Sequence, residues 1–89
     1  MRAVITVIGK DTIGILAQIS TVCAQSSANV MDVTQTILQD LFAMTMLVDI
    51  SKCNIPFEEF SAQLKKQGEG MNLKIHVMHE DIFNSMHRI

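Results

Sequence analysis

The sequence contains no tryptophan and no tyrosine, and only four phenylalanines. Proteins that hold single-stranded nucleic acid stack its bases on aromatic side chains, so that function lacks its usual platform here. Basic residues are also sparse. The seven Lys and Arg residues are dispersed at positions 2, 10, 52, 65, 66, 74 and 88, and the net charge is −2. Binding a polyanion by counterion release needs a clustered basic face, and none is visible. The two cysteines, Cys23 and Cys53, stand apart without a CxxC spacing. They read as buried thiols in a reducing compartment rather than as a disulfide. No apolar run approaches the length of a membrane span. The N-terminal MRAVITVIGK has too short an apolar stretch for a signal peptide and leads directly into a strand pattern. The expectation is a cytoplasmic protein with neither a membrane nor a nucleic acid as partner.

What the chain does contain is apolar side chains, 48% of its 89 residues. That is enough for one domain with its own core. A domain of this size buries only about 60–70% of its extended-chain surface, so a second subunit would add stability.

Residues 2–8 (RAVITVI) form an apolar, β-branched run, the pattern of a strand covered on both faces. Thr12 can cap a following helix, with Ile13 and Gly14 in its first turn. Ile15, Leu16, Ile19, Val22 and Cys23 make its apolar stripe, and Ser26, Ser27 and Asn29 end it. Over residues 30–38, Met31, Val33 and Ile37 face one way and Asp32, Thr34 and Thr36 the other. Gln39-Asp40 is the expected turn into a strand over residues 41–50, with Phe42, Met44, Met46, Val48 and Ile50 on one face.

Asn54-Ile55-Pro56 opens a second helix, since proline is tolerated in a first turn. Glu58 and Glu59 near its start and Lys65 and Lys66 near its end suit the helix dipole. Phe57, Phe60 and Leu64 form its buried stripe, and Gly68 and Gly70 stop it. Residues 71–79 alternate as a fourth strand. Ile82, Phe83, Met86 and Ile89 then recur at helical spacing in the tail.

The order is β-α-β-β-α-β with a short C-terminal helix. Right-handed crossovers put both main helices on one face of an antiparallel sheet. The first and third strands are the most apolar and belong in the middle; the second and fourth suit the edges. The predicted fold is therefore an α+β, ferredoxin-like sandwich with strand order 4-1-3-2. One sheet face lacks helices, with candidates Val4, Ile8, Ala43, Leu47 and Met78 on it. Such a patch invites cover by the tail helix or by a second subunit.

The chemistry concentrates in Gly9-Lys10-Asp11-Thr12-Ile13-Gly14-Ile15, where the first strand hands over to the first helix. Backbone N–H groups at such a junction point outward beside the positive end of a helix dipole, which makes an anion site. Asp11 adds a fixed negative charge. Opposite signs side by side suit a zwitterion such as a free amino acid. Each residue also has a plainer use: Asp11 as a cap, Gly14 as a packing glycine, Asn29 as a turn residue. Metal chemistry is disfavoured, because His76 and His79 are three apart on one strand and point to opposite faces. His87 would have to fold back from the tail to join either. No short motif pairs a nucleophile with a base, so no catalytic residue, metal or cofactor is assigned. Met31, Met44 and Met46 read as core filler, whereas Met78 and Met86 fit either core or an adaptable partner surface.

The loop above, together with Ala28-Asn29-Val30-Met31-Asp32, Thr34-Gln35-Thr36 and Leu41-Phe42-Ala43-Met44, resembles an ACT domain. It is similar to the stand-alone bacterial ACT proteins, including glycine-cleavage-regulator-like modules. The resemblance implies an ACT domain over residues 1–79 and a helical tail over 80–89. It implies a homodimer or higher homo-oligomer, with effector held between protomers in a side-by-side or face-to-face arrangement and no catalytic role. By the same resemblance Asp11 contacts the ligand's polar head, Gly14 lets the ligand approach the helix, and Asn29 reaches it from the start of the second strand. The implied ligand-binding set is Gly9, Lys10, Asp11, Thr12, Ile13, Gly14, Asn29, Val30 and Met31. Ile13 departs from the family's usual proline, which makes the loop less rigid and puts a side chain in part of the pocket.

Acylphosphatases and RNA-recognition domains share the topology. The first resemble a loop with a phosphate-cradling arginine, where this loop has only Lys10. The second need aromatics on both central strands, where only Phe42 is present. The expected function is a regulatory module that binds a small ligand, an amino acid, at a dimer interface, acting on a regulated protein partner. The alternative is a dimerisation or protein-interaction module without a ligand.

Overall fold

A computed structural model describes residues 1–10 and 14–86. The chain runs β1 (Arg2–Lys10), α1 (Ile15–Gln25), β2 (Asn29–Leu38), β3 (Leu41–Asp49), α2 (Phe57–Gly70), β4 (Leu73–His79) and α3 (Glu80–Met86). The strands form one antiparallel sheet in the order β2-β3-β1-β4. This is the ferredoxin-like plan that the apolar content of the strands predicts.

The period-2 alternation of β1 and β3 sorts their side chains between two faces. Ala3, Ile5 and Val7 of β1 and Phe42, Met44, Met46 and Val48 of β3 meet Ile15, Ile19 and Cys23 of α1 and Phe60 and Leu64 of α2 in one core. Phe60, Ile5, Ile19 and Leu64 are fully buried, each worth about 1.5–3 kcal/mol relative to exposure. The other face carries Val4, Thr6 and Ile8 of β1, which pair with Leu47, Thr45 and Ala43 of β3 and with Met78, His76 and Lys74 of β4. All five residues expected on the open face lie there.

Two helix boundaries differ from the sequence reading. Gly68 does not stop α2; the helix runs through it and ends at Gly70, with Met71 as its cap residue, after which Asn72 turns left-handed at φ 60°. Lys65 and Lys66 therefore lie inside the helix, and its last turn holds no basic residue. Gly68 is a contact glycine. A Cβ there would meet Ile75 Cδ1 at 2.7 Å, Ile75 Cγ1 at 2.8 Å and the Leu73 carbonyl oxygen at 3.2 Å. Its lack of a side chain lets α2 press against β4, and that proximity offsets the poor helix propensity of glycine. The start of α2 also shifts: Pro56 is its cap residue, in extended conformation, and the helix begins at Phe57 with Glu58 and Glu59 in the first turn.

The β2–β3 turn falls at Gln39-Asp40 as expected, and Gln39 supplies the left-handed residue (φ 58°) in place of glycine. A β-bulge between Val30 and Asp32 leaves Met31 as the extra residue of β2. The β3–α2 connection wraps the end of α1: the Asn54 backbone N–H donates to the Ser26 carbonyl at 3.0 Å, and the Asn54 side-chain amide donates to the Gln25 carbonyl at 3.1 Å. Cys23 is fully buried and Cys53, in that connection, is half-buried; neither is in a disulfide.

Two outcomes follow. Gly68→Val should lower stability by about 2 kcal/mol through overpacking against Ile75, which is roughly 8–16 °C in Tm for a domain of this size; an unchanged melting curve would refute the contact role. Burial, with a smaller contribution from Cys53, pushes the Cys23 thiol up from 9.0 to about 11. The folded state therefore holds a proton that the unfolded chain gives up first. Stability from this group is intact below pH 9 and is lost as pH rises toward 11. Denaturant unfolding at pH 8, 9.5 and 11 measures it, and at pH 8 Ellman's reagent should label Cys53 long before Cys23.

Candidate functional site

β1 delivers the chain to the candidate loop, and its last residues set the entry. Gly9 lies between Phe42 of β3 and Leu73 of β4. A Cβ on Gly9 would meet Leu73 Cδ2 at 2.5 Å, Leu73 Cα at 3.3 Å and the Asn72 carbonyl oxygen at 3.4 Å. Gly9 is thus a close-approach glycine of the sheet. Lys10 pairs with Leu41 and is exposed. Asp11, Thr12 and Ile13 lie outside the described residues, so the expected Thr12 cap and the carboxylate role of Asp11 carry no geometry here.

Gly14 is not in the first turn of α1. It is the cap residue before it, in the left-handed region at φ 84°, ψ 13°, and no side chain caps the helix. Its carbonyl accepts the Gln18 backbone N–H at 3.0 Å, the first bond of the helix. Among the described residues nothing lies within 4 Å of the position a Cβ would take. The positive φ gives a reason for glycine there in backbone conformation. The first backbone N–H groups of α1 have no intrahelical acceptor.

Asn29, Val30 and Met31 open β2, where Asn29 pairs with Asp49 and Val30 with Val48. Asn29 and Met31 are exposed and Val30 is half-buried. Their end of the sheet is the one that holds Arg2, since Arg2 also pairs with Asp49. The loop residues stand at the opposite end, where Lys10 pairs with Leu41. Eight strand steps separate the two ends, about 26 Å at 3.3 Å per residue. Within one chain the structure brings Gly9, Lys10 and Gly14 together and brings Asn29, Val30 and Met31 together, but keeps the two groups apart.

The Asn29 end also gathers polar groups that the sequence did not single out. Arg2 bridges to Glu80, with Nε at 2.9 Å and an Nη at 2.7 Å from one carboxylate oxygen. The N-terminal amine donates to Ser51 Oγ at 2.7 Å, and the Ser51 backbone N–H donates to Asp49 Oδ1 at 2.9 Å. The Ser51 hydrogen bonds hold the Asp49 carboxyl below the usual carboxylate range. A shallow cleft of about 440 Å³ opens here between Arg2, His79, Glu80 and Ile82. Apart from the local Asp49–Ser51 bond, these contacts join residues 50 and 78 positions apart, so no local pattern announces them. His79 stacks on Phe57, with centroids 4.1 Å apart and planes at 19°, while His76 is on the other sheet face. Among the described residues no three His, Cys, Asp or Glu side chains are grouped to hold a metal, and no helix is long and apolar enough to cross a membrane.

A ferredoxin-like sandwich hosts many unrelated functions, so the relationship to known proteins has to narrow the class. The sequence model of the ACT domain matches residues 2–78. The chain belongs to the ACT domain family, whose members are in general regulatory modules that bind small ligands. It is 54% identical over 88 residues to a UPF0237 protein of Methanococcus maripaludis, covering 99% of this chain and 98% of that one. It is similar to the solved ACT domain protein from Streptococcus pneumoniae, with a TM-score of 0.81, 35% identity and 93% of each chain covered. The regulatory subunit of aspartate kinase from Thermus thermophilus shares the fold at 19% identity and a TM-score of 0.68, over 86% of this chain and 50% of that one.

The role of Gly14 can be tested directly. Gly14→Ala should cost about 1–2 kcal/mol through left-handed strain, and Gly14→Asn less, because asparagine tolerates that region. Equal melting temperatures for the wild type and Gly14→Ala would show that conformation is not the reason for glycine.

Proposed function

We propose that the protein is a non-catalytic sensor in which two copies pair along β2 and hold a small zwitterion, a free amino acid, between them. The observation that carries this reading is the separation of the two candidate groups to opposite ends of one sheet. A two-fold axis perpendicular to the sheet, beside β2, runs the two β2 strands antiparallel. It sets the Asn29 end of each protomer beside the Leu38 end of its partner, the end where β1 hands over to α1. Each complete site then takes its loop from one chain and Asn29 from the other. The ligand carboxylate faces the backbone donors before α1, and Asp11 with Asn29 of the partner subunit takes the ammonium.

The choice of edge has a physical reason. β4 is the other edge strand, and its exposed positions carry Lys74 and His76, charged or polar groups that blunt strand addition. β2 is exposed from Asp32 to Leu38 except at Val33, and Asp32 is its one charge. On its helix side Ile37 remains 57% exposed, so neither main helix of its own chain covers that end. A second β2 would shelter it.

For the ligand to regulate, it must bind two states of the dimer unequally. The regulated partner would read that difference.

Calorimetry and thermal shift across the free amino acids test the reading. A ligand at a hundredfold over its Kd should add about 2.7 kcal/mol, which is roughly 10 °C or more in Tm. Asp11→Ala and Asn29→Ala should each abolish the response. Mixing the two variants after unfolding and refolding should restore roughly a quarter of the wild-type binding capacity, because random pairing gives heterodimers with one intact shared site. No restoration would place both residues in one chain's site and refute the shared arrangement. No response to any amino acid from a folded dimer would leave a dimerisation module.

A further inference from the structure

β4 forms the edge of the sheet opposite β2, and among the described residues no strand pairs with its outer side. In an antiparallel ladder, successive residues turn their N–H and C=O groups alternately toward the paired neighbour and away from it. Every second residue of β4 therefore offers a backbone donor and acceptor outward. Two devices that commonly spoil such an edge are missing. β4 has no proline, and its register against β1 runs unbroken from Ala3↔His79 to Gly9↔Leu73, without a bulge. What remains is charge. Lys74 and His76 stand on the open-face side of β4 and are exposed.

A groove of about 310 Å³ follows this edge. Its lining takes in residues from both faces of β4, Leu73 and Ile75 from the helix side and Lys74 and His76 from the open side. Lys65 and Glu69, one turn apart on α2 and both exposed, form its wall. Leu73 and Ile75 are each 6% exposed and give it an apolar floor. α2 stands this close because Gly68 presents no side chain to Ile75. A helix-walled groove along a straight, open strand edge is the geometry that receives an extended peptide as an added strand.

The charges choose the occupant. The lining holds two lysines and a histidine against one glutamate, in a chain whose net charge is −2. Two β4 edges set side by side would bring the Lys74 and His76 rows of both copies onto one face, which disfavours self-pairing. An acidic strand in the same place gains cross-strand pairs of opposite charge. Glu80 and Asp81 begin α3 directly after β4, so an acidic segment is repelled from that end and its anions belong beside Lys74 and His76.

We infer that the β4 edge is a docking site for an extended segment of another protein in which acidic and apolar residues alternate. Its backbone adds a fifth strand beside β4. Its acidic side chains lie on the open face next to Lys74 and His76, and its apolar side chains enter the groove over Leu73 and Ile75. The site lies on the opposite edge from β2 and includes none of the candidate ligand residues, so it does not rest on the proposed sensor.

Fluorescence anisotropy of a labelled peptide alternating glutamate with valine, titrated with the full chain, tests this. Binding should saturate. Lys74→Glu should weaken it by about tenfold or more, since like charges then stand opposite each other, and His76→Glu should act in the same direction. Lys74→Glu should also gain affinity for a peptide alternating lysine with valine. Both positions are exposed, so the fold should survive, which circular dichroism checks. Methyl groups on the peptide amides separate strand addition from loose charge attraction. N-methylation of one alternate set of residues should abolish binding and methylation of the other should spare it, because only every second residue of an added strand turns its N–H to β4. Equal effects of the two sets, the absence of saturable binding, or an affinity that Lys74→Glu and His76→Glu leave unchanged would overturn the inference. A peptide that lowers the sedimenting mass as it binds would identify a second copy as the occupant of this edge, and would overturn it as well.

Discussion

β1 is hydrogen-bonded along both edges, antiparallel to β3 on one side and to β4 on the other, and the placement of everything else follows from that register. It puts Ala3, Ile5 and Val7 under the helices and Val4, Thr6 and Ile8 on the open face. A slip of one residue would exchange the two sets, burying Thr6 and exposing Ile5. The register is held because the helix-side set packs against Ile19, Cys23, Phe60 and Leu64, and because Gly9 and Gly68 let β4 and α2 close in. The same register decides that the loop before α1 and the first residues of β2 emerge at opposite ends of the sheet. Gly9 and Lys10 on one side and Asn29 on the other are therefore too far apart to line one small site within a single chain.

The glycines show how one residue type serves different physical ends. Gly9 and Gly68 are small because neighbouring side chains occupy the space a Cβ would need, whereas Gly14 has no described residue within 4 Å of its Cβ position and is glycine because its φ is positive. The first kind contributes to the stability of the sandwich. The second sets the direction in which α1 begins, and with it the direction of the backbone donors of its first turn. In each case the residue reports a local constraint, but the kind of constraint differs, and composition alone does not distinguish them.

Much of the architecture was legible from periodicity. The apolar, β-branched run RAVITVI and the alternation in Phe42-Ala43-Met44-Thr45-Met46 identified the central strands, and the contrast with the more polar second and fourth strands ordered the sheet. Gly68 was misjudged as a stop for α2, which ends at Gly70, because glycine reads as a stop signal when only local propensity is considered. Packing of Gly68 on Ile75 overrides that preference, and the left-handed Asn72 takes over the termination. The candidate loop was legible as a motif, but the polar cluster at Arg2, Asp49, Ser51 and Glu80 was not. Its members come from the first strand, the end of the third with the turn after it, and the start of the last helix, and apart from the local Asp49–Ser51 bond they meet only in the folded sheet.

The sequence by itself determined the fold class, the strand order, the two-faced sheet and the ACT relationship, because side-chain alternation and turn chemistry act between near neighbours and are written in the order of the residues. Only the tertiary structure decided that Gly68 packs on Ile75, that Arg2 bridges to Glu80, and that Lys10 and Asn29 lie a full strand length apart. Those are distances between residues remote in the chain, and they are set by the antiparallel register of the folded sheet.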